Sequence, residues 1–224
     1  MKTFAILGDS YSTYKGYVPS DYNYWYAPEG NECENDMPSV EHTWWRLFAK
    51  ESGLRLVANC SFSGSAVCQS SYPDLDPITS SFVYRMKREL GDERDARIAA
   101  GAMSASDLPD LILVFGGTND FWGNQPVGKL MYEGQTETDL KSFGPAFCYV
   151  LSYLREHNPK ATIVNLINDE ITSELRPMML EACKHYQVPC LELCDVVKEN
   201  GHPNKRGMEQ IEEQLMHFLK KEVF

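Results

Sequence analysis

Short apolar runs alternate with longer amphipathic stretches along this chain, the pattern of a parallel β-sheet whose strands are joined by helices. The runs that predict strands are Phe4–Leu7, Leu54–Asn59, Leu111–Phe115, Ala161–Ile167 and a weaker Val188–Leu193. Residues 111–115 are apolar without interruption, as in a central strand buried on both faces. Helical spacing predicts helices near 42–52, 80–100, 139–157, 172–186 and 205–221. In the last, Met208, Ile211, Leu215 and Leu219 share one face, which suits a helix docked on the sheet. No repeat or low-complexity linker interrupts the pattern, and residues 1–224 read as one α/β domain.

Two segments break this rhythm. Residues 12–40 carry few aliphatic side chains but many aromatic ones, among them Tyr14, Tyr17, Tyr22, Tyr24, Trp25 and Tyr26. Residues 121–138, opening on Phe121-Trp122, form a second insertion. Long loops inside a compact domain are commonly functional or ordered by their own packing. Of the adjacent Trp44 and Trp45, one is expected to point inward and the other sideways.

Composition narrows the function classes. The 224 residues carry 32 acidic against 21 basic side chains, a net charge of −11. That charge repels phosphate backbones and anionic lipid surfaces, which argues against nucleic-acid and membrane partners. The seven cysteines, Cys33, Cys60, Cys68, Cys148, Cys183, Cys190 and Cys194, include no C-x-x-C pair and no zinc-ligand spacing. They read as free thiols of a reducing compartment, and no metal is expected. The apolar run at 4–7 is too short for a signal peptide core, and no stretch is long enough to span a membrane. The expectation is therefore a cytoplasmic protein, with a chain trimmed of a signal peptide as the alternative.

The candidate chemistry lies where strands end, the position at which open α/β sheets bind ligands. Gly8-Asp9-Ser10 follows the first strand, and Asn59-Cys60-Ser61-Phe62-Ser63-Gly64 follows the second. Gly116-Gly117-Thr118-Asn119-Asp120 follows the buried third strand, and Gly201-His202-Pro203 precedes the last helix. Taken singly, the first two are better explained by a capped turn and a Ser/Gly loop. Asn119 suits a structural turn or an amide donor for a developing anion about equally. Of the five histidines, His42, His157, His185, His202 and His217, only His202 sits on a loop at the carboxyl edge of the sheet. A serine hydroxyl needs such a base beside it to act as a nucleophile.

Together the four blocks resemble those of the SGNH (GDSL-like) hydrolases, over residues 8–203. The resemblance implies a three-layer α/β/α, flavodoxin-like sandwich that hydrolyses esters without a cofactor. It also implies that Ser10 is the nucleophile, and that an oxyanion hole is formed by Ser10, Gly64 and Asn119. His202 would be the general base. The family's aspartate three residues before the histidine is Glu199 here, with Asp195 or a backbone carbonyl as alternatives. The usual leucine after the serine is Tyr11, a change expected to affect packing. Tyr14 and Trp122, with Asp9 beside the serine, are the candidate substrate contacts. The expected substrate is a small acyl ester such as an O-acetylated sugar. The competing readings are a non-catalytic carbohydrate binder on the same fold and an FMN- or phosphate-binding module.

Overall fold

The computed structural model describes residues 2–29, 35–172 and 174–222; Cys33 lies outside them. Five parallel strands form the sheet in the order β2-β1-β3-β4-β5: β1 (Thr3–Gly8), β2 (Arg55–Asn59), β3 (Leu111–Phe115), β4 (Thr162–Ile167) and β5 (Cys190–Glu192). The order reverses between β1 and β3, and a crevice opens at their carboxyl ends.

The period of two along each central strand decides which layer each side chain enters. Ala5 and Leu7 of β1, with Ile112 and Val114 of β3, face one core. That layer is closed by α2 (Phe82–Leu90), α5 (Phe143–His157) and α6 (Leu175–Tyr186). Phe4, Ile6, Leu111, Leu113 and Phe115 face the other, against α1 (Trp44–Ser52) and α7 (Lys205–Glu222). Each fully buried aliphatic or aromatic side chain contributes roughly 1.5–3 kcal/mol, so the two layers hold the sheet ends rigidly. Trp44 and Trp45 are both fully buried in this second layer, so neither projects sideways.

The helix expected at 80–100 is two helices, α2 and α3 (Asp92–Ala99), broken at Gly91. A Cβ there would lie 2.3 Å from the Tyr153 hydroxyl, which accepts the Asp92 N–H at 3.0 Å. Tyr153 thus replaces one helical turn, a tertiary contact that periodicity along the chain does not reveal. The segment at 121–138 opens with a five-residue helix, α4 (Thr118–Trp122). Late in the chain, β6 (Lys198–Glu199) and β7 (His202–Pro203) make a two-stranded antiparallel hairpin.

Gly116, directly after β3, leaves room for the Phe82 ring: a Cβ would sit 2.2 Å from its Cζ. Phe82 is fully buried and has nowhere to move. Gly116→Ala is expected to lower stability by about 1–3 kcal/mol, read as a reduced urea midpoint with an unchanged slope.

Candidate active site

Ser10 begins a one-turn 3-10 helix after β1, where the Asp9 side chain accepts the Tyr11 N–H at 3.1 Å and sets the turn. Its Oγ lies 2.9 Å from Nε2 of His202, across 192 residues of chain. The other imidazole nitrogen, Nδ1, is 3.2 Å from the carbonyl of Asn200. A carbonyl can only accept, so Nδ1 carries the proton and Nε2 presents a lone pair to the Ser10 hydroxyl. The histidine is held from both sides along its own backbone. Tyr11 Oη donates to the Gly201 carbonyl and Tyr26 Oη to the Pro203 carbonyl, each at 2.7 Å. Asn200 and Gly201 complete the bend between β6 and β7 at φ of 50° and 75°.

Aromatic rings surround the imidazole. Trp25 stacks on it with ring centroids 3.7 Å apart and planes 8° from parallel. Tyr11, Tyr26 and Trp122 approach at steep angles with centroids at 5.4, 6.4 and 5.9 Å. Losing water in this way disfavours the charged ring. Burial pushes the His202 pKa down from 6.5 to about 4, against a smaller upward pull from the Asn200 carbonyl.

The loop after β2 carries Gly64, at φ +83°, into a groove that Trp25 also lines. Two buried charges fix this loop. The Arg85 guanidinium, from α2, donates to Ser65 Oγ at 2.8 Å, to Ser80 O at 2.9 Å, and to the Cys60 carbonyl. Asp120, from α4, accepts the N–H groups of Val67 and Cys68 at 2.8 and 3.2 Å. Asn119 Nδ2 donates one hydrogen to Ser65 O at 3.0 Å and keeps a second in hand. The backbone N–H groups of Ser10 and Gly64 donate to no group among the described residues. A serine–histidine pair with an unpaired N–H at the serine itself, among the described residues, is an arrangement that suits acyl transfer.

The sequence profile of the GDSL-like Lipase/Acylhydrolase family matches residues 2–219. The chain belongs to this family. As a GDSL-like protein it is a hydrolase of ester bonds. Among solved structures it is similar to a protein assigned as a GDSL-like lipase from Bacteroides ovatus, at 39% identity and a TM-score of 0.87, covering 99% of each chain. A second, from Bacteroides uniformis, is 40% identical with a TM-score of 0.84 and coverage of 98% and 96%. An acetyl xylan esterase from the rumen bacterium Butyrivibrio proteoclasticus shares the fold, at 21% identity, a TM-score of 0.64, and 99% of this chain on 64% of that one. No curated protein matches the chain.

Within this GDSL-like frame Ser10 and the half-exposed Trp122 meet at the His202 imidazole, Asn119 bonds the residue after Gly64, and Gly64 shares a groove with Trp25, but not every residue singled out by the sequence joins them. Glu199 does not reach the imidazole: its carboxylate accepts the Asp36 N–H at 3.1 Å and Asn204 Nδ2 at 3.2 Å, on the exposed side of the hairpin. Asp195 is exposed in the bend before β6, and its carbonyl accepts from Gln210. Asp9 is fully buried beneath the 3-10 turn and contacts its backbone, so it cannot line a substrate pocket. Tyr14 is 3% exposed, packed in the core among Tyr17 and its neighbours, because the aromatic segment folds inward there. Tyr11 does more than fill space, since its hydroxyl holds the turn before His202. Trp25, Tyr26 and Asp120 stand at the site although their segments do not distinguish them from their neighbours, and Arg85 lies outside every motif. The one legible signal was Arg85, a cation on the apolar stripe of Phe82, Met86 and Leu90.

Burial lifts the Asp9 carboxyl to about 7 and that of Asp120 to about 6. Between roughly pH 4 and 7 the folded chain thus keeps an Asp9 proton that the unfolded chain has released, and stability falls as pH rises through that window. His202 acts oppositely, losing stability as pH falls from about 6.5 toward 4. Asp9→Asn is expected to be more stable than the parent at pH 8, with the gain shrinking to nothing near pH 4. Urea unfolding at a series of pH values reads this; a pH-independent difference would show that the carboxyl titrates normally.

Proposed function

We propose that this protein is a serine esterase that removes small acyl groups, acetyl foremost, from the hydroxyls of a carbohydrate-like alcohol. The 2.9 Å contact between Ser10 Oγ and a lone pair on His202 Nε2 carries the reading. Ser10 passes its proton to Nε2 as Oγ bonds to the acyl carbon. The oxyanion then accepts hydrogen bonds from the N–H groups of Ser10 and Gly64 and from the second hydrogen of Asn119 Nδ2, each worth about 10²–10³ in rate. The imidazolium returns the proton to the departing alkoxide, and water repeats the cycle on the acyl-enzyme. With the Glu199 carboxylate engaged elsewhere, the Asn200 carbonyl orients the imidazole, and the pair works as a dyad.

The substrate class is supported by an open groove of about 980 Å³ that begins at Gly64 and Trp25. Asn23, Tyr24, Ser63, Tyr72 and Asp74 give it flat aromatic faces beside polar groups, the chemistry that suits a sugar ring, and Leu75 is the one large aliphatic side chain in its wall among the described residues. A long acyl chain would find little apolar surface there.

Purified protein is expected to hydrolyse p-nitrophenyl acetate and acetylated sugars well above octanoate, and Ser10→Ala to lower kcat by about 10³ or more. Equal rates in parent and variant would remove Ser10 from the mechanism. Glu199→Gln is expected to keep kcat/KM within about threefold, and the acidic limb of the parent's pH profile to lie near 4. A limb near 6.5, or a loss of 10³ or more in Glu199→Gln, would restore a carboxylate triad.

A further inference from the structure

A carboxylate behind a catalytic histidine has two tasks, orienting the ring and stabilising the positive charge that the ring acquires. In this site the Asn200 carbonyl covers the first, with only a partial charge for the second. We propose that Trp25 supplies the second: its indole face stabilises the imidazolium of His202 during acyl transfer and so offsets part of the cost of the water that the surrounding rings exclude. The proposal rests on the esterase reading and deepens it.

The geometry is that of a cation–π contact, with a near-parallel stack at a 3.7 Å centroid separation and Tyr11, Tyr26 and Trp122 closing the other directions. Trp25 is not placed by its polar end. Its indole N–H is buried without a partner among the described residues, whereas buried tryptophans ordinarily find one. What places it is a tether to the nucleophile: its backbone N–H donates to Thr13 Oγ1 at 2.8 Å, and that hydroxyl donates to the Ser10 carbonyl at 2.9 Å. The indole therefore keeps its position relative to both partners of the dyad.

The charged groups on the surrounding elements are committed elsewhere. Lys198 pairs with Asp169 and Glu170 while lying 6.0 Å from the Tyr11 ring centroid, Glu170 also accepts from Trp122 Nε1, and Glu199 faces Asp36 and Asn204. Asp9 holds the Tyr11 N–H, and Asp36 accepts the Lys205 N–H. Burial holds the phenols of Tyr11 and Tyr26 well above their ordinary range, so both stay neutral. Among the described residues no carboxylate hydrogen-bonds the His202 ring, and the Trp25 face lies flat against it.

The test replaces Trp25 alone with tryptophans carrying one to four ring fluorines, which keep the shape and drain the π face. Imidazole NMR of the resting protein follows His202, while kcat and KM are measured on an acetyl ester. The expected result is a stepwise fall of the His202 pKa with fluorine number and a matching fall in kcat, about threefold to thirtyfold over the series, with KM nearly constant. Trp25→Phe should keep part of the rate and Trp25→Leu less. A flat pKa and a flat kcat across the fluorinated series would overturn the proposal. A falling pKa in a protein that hydrolyses no ester would uphold the stack and overturn the esterase reading instead.

Discussion

A hydrogen bond between residues 192 positions apart has no local structure to hold it. Ser10 is fixed by the end of β1, and His202 by a hairpin of only two residues per strand, too short to be stable alone. What joins them is the pair of phenol hydroxyls on Gly201 and Pro203, each worth about 0.5–1.5 kcal/mol net. Asn168, after β4, extends the join by donating to both the Tyr11 hydroxyl and Thr118 Oγ1. Strand ends β1, β3 and β4 thus converge on one tyrosine, and the position of the histidine follows from it.

The opposite wall depends on buried charge rather than on phenols. Arg85 and Asp120 grip the loop of Gly64 from two different helices, and both sit fully out of water. Burial pulls Arg85 down to about 10 and Asp120 up to about 6, the cost of holding backbone donors and acceptors in fixed directions. Stability is given up there so that the uncommitted N–H groups of Ser10 and Gly64 stay where they are.

The parts written in short range were readable from the chain. Leu111–Phe115 announces a central strand because burial on both faces leaves no room for a polar residue. Gly8-Asp9-Ser10, Gly116–Asp120 and His202 announce their place because each follows or precedes a regular element. Contacts made across the fold were not readable. Tyr14 and Trp25 come from the same aromatic segment, yet one is core and the other lies flat on the imidazole, and spacing cannot separate them. Glu199 occupies the expected position in sequence, but the hairpin turns its carboxylate to Asn204 and Asp36. Gly91 breaks a continuous helical pattern because of a tyrosine more than 60 residues away.

The spacing of Ser10 and His202 along the chain has a consequence for synthesis. During translation Ser10, Gly64 and Asn119 all leave the ribosome before the hairpin that carries His202. Until residues 198–203 emerge and the two phenols grip them, Ser10 lacks the imidazole that meets its hydroxyl in the folded chain. Vectorial synthesis therefore leaves this hydrogen bond to form only when the fold is nearly whole.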